Sequence, residues 1–365
     1  MIWIYFSETI LYLCFSLLLG SFILTLIPIN KKPDIIIRKR WLQLSILGIV
    51  FLSLSPIIRL IIFLYEDIGF KLTLQNVIGG FEVGQAWTFT LFISILFYLY
   101  VSIFSVFTKK IHLFVSILFT LLLILSLGWS SHSASLTEWS GFIAHTLHFL
   151  AMTIWVGILI VVSWFSVNHQ NWSAFLKWFT PVAIICLTMV MGTGLFLMTL
   201  VLDFNEYASS WLIPYGQALL IKHLIIIPIV LFAFINGVWM RRKVKLDSQL
   251  NPIPWIRAES GFLLLIFAAT SVLGQQEPPH SIESTVSGDG LSSIFELLYN
   301  GDITSPINAS FNFNLMGLLF FLLSISFLLL TVAVFFKKAP AVMAYIMSVL
   351  CIVSLYLGLM ISVSF

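Results

Sequence analysis

Ten apolar stretches, each long enough to cross a lipid bilayer, constrain this chain more than any other feature of its sequence. A bilayer core about 30 Å thick requires roughly 20 apolar residues in an α-helix. Of the 365 residues, 60% are hydrophobic and only 9% are charged, whereas soluble domains average about 25% charged residues. The stretches are 3–27, 41–65, 85–107, 111–129, 139–167, 178–202, 217–240, 256–274, 313–336 and 340–363. They predict an all-α, polytopic transmembrane helical bundle and exclude a water-soluble globule.

Basic residues are concentrated in alternate loops between the predicted spans. Of the 18 lysines and arginines, only Arg59, Lys71 and Lys222 lie away from those loops and their edges. The others are Lys31, Lys32, Arg38, Lys39, Arg40, Lys109, Lys110, Lys177, Arg241, Arg242, Lys243, Lys245, Arg257, Lys337 and Lys338. Because cytoplasmic loops carry the excess of Lys and Arg, this pattern predicts that both termini are extracytoplasmic. The same explanation leaves no surplus of basic residues for nucleic-acid binding.

The histidines are distributed unevenly across this predicted topology. His132, His145, His148, His223 and His280 fall on the extracytoplasmic side, leaving only two of the seven at cytoplasmic span ends. His145, His148 and His223 lie within spans, at similar predicted depths. Imidazole is costly in lipid, and a neutral imidazole is the commonest metal ligand in proteins. The pattern therefore raises the hypothesis of a metal site near the outer surface, although a hydrogen-bonded packing role is the alternative for each histidine.

Methionines accompany these histidines and bear on the kind of metal. Met152 follows His148 by four residues, and His145 precedes it by three, so the three side chains share one helix face. Met198 lies near the outer end of the next predicted span. Imidazole with thioether suits copper, and thioether favours Cu(I). Zinc would be expected to recruit carboxylate or thiolate, whereas the three cysteines lack CxxC or CxC spacing and are predicted to be buried for packing.

Charged and polar residues within the spans form two predicted groups. Glu8, Arg59 and Lys222 lie near the outer surface and indicate a polar vestibule there, since charged groups in spans face the bundle interior or water. Near the cytoplasmic ends lie Asn236, Arg257 and Glu259. This inner group is interpreted either as part of an ion path or as a structural clamp.

Between Gly128 and Pro279 the order of short motifs resembles the CopD copper-resistance family. Ser131 stands where that family typically has Gly, which is a departure from its pattern. The motifs are Ser131-His132-Ser133, His148-Phe149-Leu150-Ala151, Trp155-Val156-Gly157, Gly192-Thr193-Gly194, Tyr215-Gly216-Gln217, Leu219-Leu220-Ile221-Lys222, Asn236, Arg257-Ala258-Glu259 and Pro278-Pro279.

The resemblance implies copper handling at the extracytoplasmic face of a bacterial plasma membrane, in uptake or resistance. It also implies a partner of the CopC type, a copper chaperone that here would be a separate chain. The sequence divides into spans one to three (1–110), a CopD-like core (111–280), an extracytoplasmic loop (281–312) and a C-terminal hairpin (313–365).

Two other functions remain open from the residues alone. His145 or His148 opposite His223 could ligate a b-type haem, which would make the protein an electron carrier or cupric reductase. A structural or assembly subunit is the third interpretation. Apart from the haem case, the chain is expected not to be an enzyme, because it has no GxSxG or HExxH motif and no phosphate-binding loop.

Overall fold

A computed structural model describes residues 2–247, 250–279, 281–299, 301, 303, 306–312 and 314–365. It is 81% helical, and the described residues include ten helices long and apolar enough to cross a membrane. The predicted all-α polytopic fold is therefore confirmed, while the side on which the termini lie stays a prediction. His280 and Phe313, assigned above to the outer loop and to the start of the ninth span, lie outside the described residues.

The chain separates into two compact units, Met1–Leu200 and Val201–Phe365. The division into four sequence regions stays a prediction. The helices of the first unit are α1 (Ile2–Leu26), α2 (Lys39–Leu52), α3 (Ser55–Ile68), α4 (Phe70–Gly79), α5 (Glu82–Ile103), α6 (Lys110–Trp129), α7 (His132–Leu136), α8 (Glu138–Phe165) and α9 (Trp172–Thr199).

Helix α8 is the most buried candidate span and packs against α1, α6 and α9. Gly20 of α1 faces Gly157 of α8, and a Cβ atom added to either glycine would overlap backbone atoms of the other helix. Small residues allow such close approach between membrane helices, where van der Waals packing drives association. This contact explains the glycine of the Trp-Val-Gly motif.

The second predicted span is two helices. Helix α2 ends at Leu52 and α3 begins at Ser55, with Pro56 in the first turn of α3. Proline has no backbone N–H to continue the helical ladder, so it is tolerated at a helix start and interrupts a helix interior. After α3, Gly69 adopts a positive φ of 80° and leads into α4, which occupies what the sequence suggested was a simple loop.

At one end of the first unit, the loop between α1 and α2 is bonded to the start of the loop between α8 and α9. The backbone N–H of Val167 donates to the carbonyl of Asp34 (2.8 Å), and the Asn168 amide donates to the Asp34 carboxylate (2.6 Å). The Trp178 indole N–H donates to the carbonyl of Lys31 (2.8 Å). We call this set of contacts the loop junction; the charge pattern predicts that it lies at the cytoplasmic side.

The second unit is built on two helix pairs. Its elements are α10 (Pro214–Phe234), a π-helical segment (Ile235–Met240), α11 (Arg241–Leu246), α12 (Ile253–Leu273), α13 (Ile282–Asp289), α14 (Ser293–Leu298), β1 (Ser310–Phe311), α15 (Leu315–Phe336), α16 (Ala341–Ser362) and β2 (Val363–Ser364). Helix α10 packs on α12, and α15 packs on α16. The antiparallel β1–β2 pair joins Ser310 to Ser364 and Phe311 to Val363.

Three single cysteines lie in these helices: Cys14 in α1, Cys186 in α9 and Cys351 in α16. All three are buried and free, as predicted. They therefore serve packing within the spans.

Candidate functional site

His148 has its imidazole held by the neighbouring helix. Its Nδ1 atom lies 3.0 Å from the Oγ1 atom of Thr193 on α9. The Thr193 hydroxyl donates its one proton to the carbonyl of Met189 at 2.6 Å, so it must accept a hydrogen bond from His148. Nδ1 therefore carries the ring proton, and the Nε2 atom carries the lone pair. A second nitrogen fixed in this way is the usual arrangement around metal-binding histidines.

The same α9 motif makes room for the His148 ring. A Cβ atom added to Gly194 would lie 3.3 Å from Cε1 of His148, whereas one added to Gly192 would meet no atom within 4 Å. In the Gly192-Thr193-Gly194 motif, the threonine thus orients the imidazole and the second glycine accommodates it.

The other predicted ligands of the first unit lie at separate positions. His145 is half-buried on α8, Met152 is buried one turn beyond His148, and Met198 is buried near the end of α9. Among the described residues, no group of three or more His, Cys, Asp or Glu side chains could hold a metal ion. His132, His145 and His148 are therefore not assembled into one closed cluster, and the predicted ligand set stays a prediction.

His132 is the first residue of the short helix α7. The Ser131 hydroxyl caps this helix by accepting a hydrogen bond from the backbone N–H of Ala134 (3.3 Å), which gives the serine a role where the CopD pattern has glycine. His132 is exposed. The pKa of its imidazole is nevertheless lowered, first by desolvation from surrounding protein and second by the positive charge of Arg59. It therefore stays neutral at a lower pH than a free imidazole.

A buried acidic group on α1, Glu8, is bonded to a tyrosine that packs against α8. The Glu8 carboxyl group is only 8% exposed and is hydrogen-bonded to the Tyr12 side chain. The Tyr12 ring packs edge-on against Phe149, with 5.5 Å between centroids. Glu8 and Tyr12 thus form a buried polar pair in the first unit; the outer vestibule and the Glu8–Arg59 ion pair stay predictions.

His223 has a different partner, which sequence reasoning missed. Its Nδ1 atom lies 2.7 Å from the Tyr207 hydroxyl, and burial raises the pKa of Tyr207 to about 12, so the phenol keeps its proton. A phenol that donates to Nδ1 places the ring proton of His223 on Nε2, and one that accepts from Nδ1–H leaves the lone pair on Nε2. Only the second arrangement offers Nε2 to a metal. Tyr207 lies in a loop 16 residues earlier, and no spacing in the sequence connects the two residues.

A second missed group fastens the start of α10 to α16. The Gln217 amide donates to the carbonyl of Trp211 (2.5 Å), and its oxygen accepts from the Tyr356 hydroxyl (2.6 Å). Lys222 lies half-buried five residues later, next to His223. These contacts fix the register of α10, on which the predicted residues Lys222 and His223 lie.

The predicted inner group is only partly brought together. The Asn236 amide donates to the Glu259 carboxyl group at 2.7 Å, and both residues are buried, at 4% and 2% exposure. Arg257 is exposed. The hydrogen bond thus joins Asn236 to Glu259; a clamp that includes Arg257, and an ion path, stay predictions.

A cavity of about 350 Å³ lies elsewhere in the first unit. Glu82, Glu138, Trp129 and Trp139 are among its lining residues. The predicted histidine and methionine ligands do not line it, so it does not identify the site.

The fold and its buried polar groups define a polytopic helical membrane protein. The family model of CopD, copper resistance protein D, matches residues 173–273. Over this segment the chain is similar to the CopD family, which supports the predicted resemblance and connects it with copper resistance. No curated protein and no solved structure gives a match. The matched segment contains Thr193, Met198, Lys222, His223, Asn236, Arg257 and Glu259.

Proposed function

We propose that the protein binds copper in the extracytoplasmic half of its first unit and transports it across the plasma membrane, in uptake or resistance. The CopD match over residues 173–273 is the observation that carries this proposal. Copper is the transported substrate in this scheme. A CopC-type chaperone on the extracytoplasmic side is the proposed donor or acceptor.

His148 is the proposed principal ligand. Its support is the hydrogen bond from Nδ1 to Thr193, which places the lone pair on Nε2. Met152, one turn along α8, and Met198, on α9, would add the thioether sulfur that favours Cu(I). The positions of both methionines in buried parts of their helices are compatible with this role.

His132 and His145 are the proposed residues of the entry path. The lowered pKa of His132 keeps it neutral, and so able to bind metal, in mildly acidic surroundings. His223 lies in the second unit and stays a predicted ligand; it can offer Nε2 to a metal when Nδ1–H donates to the Tyr207 hydroxyl.

The test is a Cu(I) titration of the purified full-length protein against a chromogenic chelator. His148→Ala is expected to weaken binding at least about tenfold, the lower end of what loss of ligand support costs. The matched control is His112→Ala, because His112 is bonded to Tyr100 (2.7 Å) at a span end that is predicted to be cytoplasmic. Equal affinities of wild type and His148→Ala would contradict the assignment of His148.

An absorption spectrum of the same preparation tests the haem alternative. Axial ligation by two imidazoles would give a Soret band that disappears in His223→Ala, whereas a copper transporter has no such band. A Soret band in the purified protein would replace the copper proposal with an electron-carrier or cupric-reductase function.

A further inference from the structure

Among the described residues of the second unit, Glu259 has the most deeply buried carboxyl group, and its partner is Asn236. Glu259 lies in the second turn of α12, and Asn236 lies in the π-helical segment that follows α10. Their side chains meet at 2.7 Å. π-Helical turns within α-helices occur frequently at functional sites. A carboxyl group within a membrane span is energetically costly, and such groups are therefore rare and usually functional.

One atom of this pair lacks a hydrogen bond. The Nδ2 atom of Asn236 donates both to Glu259 and to the carbonyl of Trp255 (3.3 Å). The Oδ1 atom is buried and accepts no hydrogen bond. An unsatisfied buried acceptor is unfavourable, and a protonated Glu259 would bring an O–H donor to it.

The charged and titratable side chains on the elements around Glu259 lie in other surroundings. Arg257, on the same helix, is exposed. The Lys243 ammonium on α11 donates to the carbonyl of Phe335 (2.9 Å) and lies 4.0 Å from that ring's centroid. On α16 the Tyr345 ring packs against Phe262, at 4.5 Å between centroids.

Other titratable groups on α10 and α16 are far from Glu259 along the helix axes. Lys222 precedes Asn236 by 14 residues, which is roughly 21 Å of helix, and His223 and Tyr215 lie at that same end of α10. Tyr356 of α16 is bonded to Gln217 near the start of α10. The hydrogen-bond partner that the structure gives Glu259 is thus a neutral amide, which does not offset a buried negative charge.

We propose that Glu259 is a proton-binding site within the spans of the second unit, with Asn236 as the group that switches its hydrogen bonding. In the ionised state the Asn236 N–H donates to the carboxylate. On protonation the amide turns over, and the Glu259 O–H donates to Asn236 Oδ1. On release the O–H bond breaks, its electron pair stays on the carboxylate, and the proton passes to water. This site does not depend on copper binding.

The experiment records infrared difference spectra of the full-length protein in lipid nanodiscs across a pH series. Wild type is expected to show the C=O stretching band of one protonated carboxyl group, which is lost as pH rises. Glu259→Gln, similar in volume and uncharged, is expected to lack that band entirely. Glu296→Gln is the matched control, because Glu296 is exposed on α14, and it should retain the band.

Asn236→Ala supplies a second reading that a merely structural glutamate would not give. Removing the amide takes away the donor that stabilises the carboxylate, so the band should persist to higher pH than in wild type. A wild-type band that does not respond to pH, or one retained in Glu259→Gln, would overturn the proposal. So would a band that responds to sodium at constant pH, since the pair would then bind an alkali cation.

Discussion

The Thr193 and Tyr207 hydroxyl groups each bond the Nδ1 atom of a histidine, but only the Thr193 bond fixes a tautomer. The Thr193 hydroxyl donates its hydrogen bond to the Met189 carbonyl and therefore accepts one from His148. The Tyr207 hydroxyl lies 2.7 Å from Nδ1 of His223, and either atom can be the donor. His148 is thus prepared to act as a ligand through Nε2, whereas the hydrogen bond to Tyr207 allows both tautomers of His223.

Thr193→Val tests this difference. Valine keeps the shape of threonine but cannot accept the Nδ1–H bond, so the orientation and tautomer of His148 are no longer fixed. Copper affinity is expected to fall about 10–100-fold, as for other groups that orient metal ligands, in the same chelator titration. Thr193→Ser, which keeps the hydroxyl, should bind like wild type; a Thr193→Val protein with wild-type affinity would contradict the orienting role.

Arg59→Gln tests the electrostatic part of the His132 environment. Desolvation and then the Arg59 charge lower the pKa of His132. Removal of that charge should raise the pKa toward its ordinary value, so that His132 becomes protonated at higher pH than in wild type. Histidine ¹⁵N chemical shifts across a pH titration measure this directly, with His132→Gln to assign the signal. An unchanged His132 titration in Arg59→Gln would show that the guanidinium does not act on the ring.

At the scale of whole helices, the close contact between α1 and α8 depends on two glycines, Gly20 and Gly157. A Cβ atom added at Gly157 would overlap the backbone of α1 at Ser16 and approach Gly20. Because both partners are backbone, neither can move aside as a flexible side chain would. The most buried span is thus positioned by the absence of side chains at one crossing point.

Gly157→Ala is accordingly expected to destabilise the protein by about 1–3 kcal/mol, the usual range for overpacking. Thermal unfolding in detergent, followed by intrinsic fluorescence, measures the lowered midpoint. Gly192→Ala is the control, because its added Cβ would meet no atom within 4 Å, and alanine favours a helix over glycine. Equal midpoints for the two variants would contradict the close crossing of α1 and α8.

Hydropathy was sufficient to predict ten spans because each span is a property of about 20 consecutive residues. It could not predict the break at Pro56, since α2 and α3 together remain one apolar stretch. Hydropathy also could not predict which helices are in contact. The Gly192-Thr193-Gly194 motif was recognised, but its use required knowing that α8 and α9 are neighbours. Tyr207 was missed because its partner lies 16 residues away with no periodic relation.

The orientation of the whole molecule is a prediction from the distribution of lysine and arginine. It can be tested with single cysteines, since the three native cysteines are buried in spans. A membrane-impermeant maleimide should label Glu206→Cys in intact cells but Lys109→Cys only after permeabilisation. Both positions are exposed. The reverse labelling pattern would invert the topology and place the histidines on the cytoplasmic side.

The loop junction limits how the first unit can change shape. Backbone and amide bonds connect Asp34 with Val167 and Asn168, and the Trp178 indole holds Lys31. The ends of α1, α8 and α9 that meet there are consequently restrained as one block. Any rocking of these helices would therefore pivot about that block and move their opposite ends most.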